Sequence, residues 1–352
     1  MRILHIIDHL GSGGAQSVVQ GIFNNISLSN YHLYSLRKKE NSVSINNDNV
    51  TIDQNSNSYS LAPIWKLKKV IKEENIEIIH CHLLRSQIFG LLLKMIWFPN
   101  VILIFHEHGR IYTNNIAYPL FLRLAKKHVN KFITVSNSAK KKLIGRAKIP
   151  DTQIIILPNF VDFSRFQVSD DSKNNLREKN IFTIGFAGRL SPVKGCEYLI
   201  KALPYLNINY KVLIAGDGPL KKELINLAKS LQVDRKVEFL GYVPDIENFY
   251  KKIDILVVPS LHESFGMSVI EAQSLGALVI ASRIGGLREI IIDKINGLLF
   301  EPKNYLDLTK IIELVHRDKK LLKDITNSAK KSVKEYDIEN YLFNLNNLYQ
   351  SI

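Results

Sequence analysis

Cysteine is scarce in this 352-residue chain. Cys81 and Cys196 stand far apart, with no CxxC or Cys/His metal spacing. That excludes a disulfide framework or a structural zinc module and predicts free thiols in a reducing cytosol. Long apolar runs are missing too. The N-terminal run Met1–Asp8 is too short for a secretory leader. The most apolar region, Ile88–Phe105, is interrupted by Lys94, Pro99 and Asn100, so no membrane span is predicted. Acidic side chains are in deficit, 33 against 47 Lys and Arg, a formal net charge of +14. The deficit is uneven: residues 1–162 hold 20 basic and 10 acidic residues, residues 163–352 hold 27 and 23. A basic surplus points to an acidic partner without naming it. No RRM, KH, zinc-finger or helix-turn-helix signature accompanies it, so no nucleic-acid partner is expected. A polyanion-binding protein stays open as an alternative of another class.

What is present is alternation. Short apolar segments (Arg2–Ile7, Glu77–Ile79, Val101–Phe105, Lys131–Val135, Ile154–Leu157) are separated by amphipathic stretches such as Ala15–Ile26, Ile64–Glu74, Ser86–Phe98 and Tyr118–Asn130. The pattern repeats with strands at Phe182–Ala187, Tyr210–Ala215, Lys236–Leu240, Ile255–Pro259 and Leu278–Ala281. The helices between them are Cys196–Leu203, Leu220–Leu231 and Ser268–Leu275. Alternating β and α elements imply parallel sheets covered by helices on both faces. The fold class read here is α/β, with two doubly wound Rossmann-like domains, residues 1–162 and 163–337. The apolar spacing of Ile338, Tyr341, Leu342, Leu345 and Leu348 predicts a terminal helix over about 338–352 that crosses back to the first domain. The Asn/Ser-rich stretch Asn41–Ser60 reads as a surface loop. The polar stretch Ser169–Asn180 reads as following the join.

Five constellations carry chemistry. Gly11-Ser12-Gly13-Gly14 joins the first strand to the first helix, where backbone N–H groups can meet a phosphate. It is not the G-x-G-x-x-G loop of a nicotinamide enzyme. Gly188-Arg189-Leu190-Ser191-Pro192-Val193-Lys194-Gly195 puts two cations in one strand-to-helix loop, suited to a diphosphate. Gly216-Asp217-Gly218 reads equally as a turn or a ligand contact. Glu263, in the loop after a strand, and Glu271, two turns into the next helix, can accept bonds from sugar or ribose hydroxyls. His106-Glu107-His108-Gly109 ends a strand. It reads as polar punctuation or as half of a metal site with no evident third ligand.

Taken in order, these segments resemble the GT4-type retaining glycosyltransferases of the GT-B fold. The resemblance runs through Gly13-Gly14-Ala15-Gln16, Val135-Ser136-Asn137-Ser138, Pro158-Asn159-Phe160-Val161-Asp162, Gly188-Arg189-Leu190…Lys194-Gly195, Gly216-Asp217-Gly218-Pro219, Glu263-Ser264-Phe265-Gly266…Glu271-Ala272 and Gly285-Gly286. Gln16 stands where many members have Glu, and Phe160 where many have Gly. The resemblance implies two domains facing a central cleft and a nucleotide-sugar donor, with a UDP-sugar favoured. Arg189 and Lys194 would bind the diphosphate, with Gly188, Gly216, Asp217 and Gly218 beside them. Glu263 would take sugar hydroxyls, Phe265 and Gly266 would offer backbone groups, and Glu271 would hold the ribose. Val243 would meet the base. Gly13 and Gly14 would reach the phosphates from the first domain. His108 is the strand-end histidine of the family, with His106 as the fallback. No Asp-x-Asp motif occurs, and the resemblance implies no cofactor and no essential metal.

The acceptor is expected to be a polyprenyl-diphosphate-linked or other cell-surface glycan. An acceptor-free epimerase or hydrolase of the same fold is the alternative. Arg123, Lys126, Lys127 and Lys131, interleaved with Tyr118, Leu120, Phe121, Leu122 and Leu124, read as a solvated helix or as a face for an anionic membrane. The expected location is the cytoplasm, peripheral at the inner face of the cell membrane.

Overall fold

The computed structural model describes the whole chain except residues 12, 27–28, 40–44, 46–48, 55–56, 58–59, 113–115 and 164–180. The polar stretch Ser169–Asn180 therefore lies outside the described residues. The chain divides into two units, Met1–Asn159 with Ile338–Ile352, and Phe160–Asp337.

The first unit holds seven strands, β1 (Ile3–Ile7), β2 (Tyr31–Ser35), β3 (Val50–Ile52), β4 (Ile78–His82), β5 (Ile102–Glu107), β6 (Lys131–Thr134) and β7 (Ile154–Ile156). They form one parallel sheet in the order β3-β2-β1-β4-β5-β6-β7. Period-2 alternation gives this sheet two unlike faces. Leu4, Ile6, Ile79, Cys81, Leu103 and Phe105 pack with Leu67, Phe89, Leu93 and Leu122 into an apolar core. The last four come from helices Pro63–Glu73, Leu84–Ile96 and Ala117–Ala125. The intervening positions His5, His80, His82 and His106 point to the opposite face and are fully buried there. The terminal helix Ile338–Gln350 belongs to this unit and carries the buried Tyr349.

The second unit holds six parallel strands, β8 (Phe182–Ala187), β9 (Tyr210–Ala215), β10 (Val237–Gly241), β11 (Ile255–Val258), β12 (Leu278–Ser282) and β13 (Leu298–Phe300), in the order β10-β9-β8-β11-β12-β13. The chain winds from β8 outward to β10, then returns to pair β11 with β8. Strand order reverses there, so the crevice between the β8 and β11 loops is the place where such sheets take ligands.

Three strands, β2, β3 and β13, have no counterpart in the sequence reading. Val50–Ile52 even lies inside the expected Asn41–Ser60 loop. It is three residues long and held by its ladder to β2, so its local sequence did not announce it. No helix among the described residues is long and apolar enough to cross a membrane.

Candidate active site

The rim of the second sheet is built from strand-end loops tied to one another through backbone. Gly188 N–H donates to the Ala215 carbonyl at 2.9 Å, Leu190 N–H to the Asp217 carbonyl at 2.9 Å, and Gly216 N–H to the Gly241 carbonyl at 2.7 Å. Leu261 N–H donates to the Val193 carbonyl at 2.8 Å, which locks the β11 loop onto the β8 loop. Such packing needs glycine where backbones nearly touch. Gly216 has φ of 141°, and a Cβ there would lie 1.9 Å from the Gly188 oxygen. At Gly286 a Cβ would lie 2.2 Å from the Ser264 oxygen, and its N–H donates to the Glu263 carbonyl.

Across the switch point the two loops meet in an ion pair. Lys194 Nζ, from the β8 loop, lies 2.5 Å from Glu263 Oε2, from the β11 loop. Glu263 is 14% exposed and Lys194 30%. Ser260 Oγ lies 3.4 Å from the same oxygen. Arg189 stands exposed on the β8 loop and forms no ion pair among the described residues. Phe265 and Gly266 follow at the start of helix Met267–Ser274, both buried. Glu271, within that helix, accepts a hydrogen bond from the buried Tyr250 hydroxyl at 2.9 Å. Burial, with this carboxylate beside it, keeps the Tyr250 hydroxyl protonated. Asp217 is held below its ordinary pKa, first by the Gly218 N–H and then by Lys221. Val243 lies apart from the ion pair, in a groove of about 520 Å³ lined also by Lys211, Glu238, Tyr242 and Asn248.

The first unit has its own switch point, between β1 and β4. Gly13, with φ of 153°, precedes helix Gly14–Asn25. At the end of β1, Asp8 bridges Arg37 at 2.7 Å and Arg85 at 3.1 Å. Burial alone would raise the Asp8 pKa, but the two guanidinium groups outweigh it and hold the carboxylate ionised. His106 and His108 stack at 3.9 Å between ring centroids. The expectation of no third ligand is corrected here: His82, from the neighbouring strand, joins them. One ring nitrogen from each of His82, His106 and His108 lies within 4.8 Å of the others, and the same holds for His5, His80 and His82.

The model of the group 1 glycosyl transferases matches residues 167–332, and that of Glycosyltransferase Family 4 matches residues 36–165. An uncharacterised glycosyltransferase of Methanocaldococcus jannaschii is 32% identical over 302 residues, which span 80% of this chain and 77% of that protein. The chain belongs to the group 1 glycosyltransferases. The UDP-Gal:alpha-D-GlcNAc-diphosphoundecaprenol alpha-1,3-galactosyltransferase of Escherichia coli is 27% identical to it, over 80% of this chain and 77% of that one. The structure of the Anabaena HepE protein in complex with UDP matches over the full length of both chains, with TM-score 0.86 and 22% identity. At that identity the likeness carries the fold, which is GT-B.

In this glycosyltransferase the second unit thus brings Gly188, Arg189, Lys194, Gly216, Asp217, Gly218, Glu263, Phe265, Gly266 and Glu271 to loops and helix starts on one sheet edge. Val243 stands off in its groove, and Gly13, Gly14 and His108 belong to the first unit. Reading by sequence missed Tyr250 under Glu271, the Asp8–Arg37–Arg85 cluster, and His5, His80, His82 and Tyr349 behind His108. For the histidines a signal existed. A polar ring at alternate positions of an otherwise apolar strand, as in His80-Cys81-His82, marks one face as unusual.

Proposed function

We propose that this chain transfers a hexose or N-acetylhexosamine from a nucleotide sugar, a UDP-sugar first, to a lipid-linked or growing cell-surface glycan, with retention at the anomeric carbon. The observation that carries the reading is the Lys194–Glu263 pair across the switch point of the second sheet. A cation for phosphate and a carboxylate for hydroxyls stand side by side where a sugar diphosphate would lie. The UDP in the HepE complex and the lipid diphosphate in the name of the E. coli relative support the same donor and acceptor classes.

In the proposed reaction the acceptor hydroxyl forms a bond to the anomeric carbon while the bond to the nucleoside diphosphate breaks. The departing phosphate oxygen takes the acceptor proton on the same face, so no side-chain base is required. Arg189 and Lys194 stabilise the charge that grows on the leaving group. Glu263 orients the sugar, and Glu271, fixed by Tyr250, holds the ribose. We assign no metal to the transfer step, and activity in EDTA equal to activity with added divalent ion is the expected result.

A thermal-shift screen of UDP, GDP and their sugars tests the reading, because a ligand that binds the native state raises its melting temperature. Glu263→Ala should remove the extra shift given by UDP-sugar over UDP, and Arg189→Ala should weaken the shift given by UDP itself. Equal responses from both variants would overturn this division of roles. Sugar release without any acceptor would point to a hydrolase instead.

The acceptor side is proposed to dock on an anionic leaflet at the inner face of the cell membrane. Residues 108–150 hold 10 basic and no acidic side chains. Within them Ile116 is 79%, Leu120 52% and Leu124 71% exposed. Lys126, Lys131 and Lys140 are committed to the Lys148 carbonyl, the Thr152 carbonyl and Asp151, which leaves Arg123, Lys127 and Lys141 outward for lipid phosphates.

A further inference from the structure

At the switch point of the first sheet, loops from three adjacent strands converge on one carboxylate. Asp8 and His9 follow β1, Arg37 follows β2, and Arg85 lies in the first turn of helix Leu84–Ile96 after β4. The three strands are parallel and pair in the order β2-β1-β4. All four residues therefore stand on one edge of the sheet, the edge where such sheets take ligands. Asp8 is 17% exposed, Arg37 23% and Arg85 16%. Two guanidinium groups against one carboxylate leave a formal positive charge in a mostly buried cluster. Burying a charge without a counter-charge is costly, and an anionic ligand would offset that cost.

The cluster is fixed from behind. Arg85 gives Nη1 to Asp8 at 3.1 Å and Nη2 to the Ser60 carbonyl at 2.6 Å. Asp8 in turn accepts from Arg37 Nε at 3.2 Å and Nη2 at 2.7 Å. Arg37 Nη1 makes no hydrogen bond among the described residues and is not sealed from solvent. His9, half-buried, adds a second donor. The Gly11 N–H donates to His9 Nδ1 at 3.1 Å. A backbone amide can only donate, so Nδ1 carries the lone pair. Burial lowers the His9 pKa. Asp8 pulls the other way, while Lys39 and Arg37 reinforce burial. The ring is thus neutral, with its proton on Nε2. This edge therefore offers a guanidinium N–H and an imidazole N–H, a donor set suited to phosphate oxygens.

The proposed transfer to a lipid-linked acceptor involves two diphosphates. That of the donor has Arg189 and Lys194 in the second unit. We infer that Arg37 and His9 bind the other, the diphosphate of the lipid-linked acceptor, with Asp8 and Arg85 as positioning residues. This rests on the reading above that the acceptor is a lipid diphosphate. Calorimetric titration of geranyl diphosphate into the full chain, with UDP saturating, is the test. Geranyl diphosphate should bind alongside UDP. Arg37→Gln and His9→Leu should each raise its Kd about tenfold, as expected for a lost hydrogen bond to a charged group. Neither should change the Kd of UDP. His9→Gln, which keeps a donor near the Nε2 position, should recover most of the affinity. Asp8→Asn makes the cluster more positive, so weaker binding there marks positioning, and tighter binding would overturn that role. Should Arg37→Gln not fold, Arg37→Lys, which keeps the charge and loses the fork, replaces it with the same expected direction. Displacement of geranyl diphosphate by UDP overturns the inference, as does a Kd unchanged in both variants. Loss of UDP binding in Arg37→Gln overturns it too, since the cluster would then serve the donor. Absence of UDP-sugar turnover in wild type would strike the transfer reading instead, while the titration still judges the site.

Discussion

Tyr250 shows how a single hidden group can set a surface one. Its ring is buried, yet its hydroxyl reaches Glu271 at the helix that follows the β11 loop. Phe at this position would keep the packing and leave the carboxylate without that donor. A net hydrogen bond is worth about 1 kcal/mol, somewhat more to a charged group. Tyr250→Phe should therefore raise the Kd for UDP by roughly three- to tenfold by calorimetry and leave the secondary structure unchanged. An unaltered Kd would mean that Glu271 does not bind the nucleotide. Glu263 differs in kind. Its partner Lys194 arrives from another loop, so either residue alone would leave the other charge uncompensated at the crevice.

Among the elements, helix Ala117–Ala125 is the one with two claims on it. Tyr118 and Leu122 face the core, while Leu120 and Leu124 face outward among basic residues. The proposed docking would give these exposed leucines an apolar phase to bury in, with Arg123 and Lys127 beside them for lipid phosphates. The double variant Leu120→Glu, Leu124→Glu removes the apolar contact and adds two repelled charges. It should lose at least tenfold in affinity for vesicles of phosphatidylglycerol at low salt, with turnover of a water-soluble acceptor analogue kept. Equal sedimentation of wild type and variant with vesicles would set the docking surface elsewhere. The strands tell a complementary story: β1, β4 and β5 each give apolar side chains to one face and histidines to the other.

At the scale of the whole molecule, that histidine face makes the first unit acid-sensitive. In the folded state His5, His80, His82, His106 and His108 are held neutral, chiefly by burial. Unfolded, they titrate near 6.5. Below that pH the unfolded state binds more protons, so stability is full above about pH 6.5 and falls as pH drops toward 3. Each histidine contributes up to about a tenfold change in the folding equilibrium per pH unit in that window. Both tryptophans, Trp65 and Trp97, lie in the first unit and report on it. Between pH 7.5 and 5.5 the urea midpoint read by their fluorescence should fall by roughly 1 M or more. No shift would mean that the rings are not held neutral. Much of this molecule was legible without coordinates. Alternating apolar segments, glycines at strand ends and cations beside them are local signals, because turn chemistry and periodicity act over a few residues. They yielded two parallel-sheet domains and the loops of the candidate site. Other features rest on contacts between distant segments: the short strand Val50–Ile52, the meeting of Lys194 with Glu263, and the hydrogen bonds that link Tyr349, His5, His82 and His108. Tyr349 and His5 are 344 residues apart. Only the folded sheet, with its strand order and its buried face, brings such groups within hydrogen-bonding distance, and burial then decides which of them carry charge.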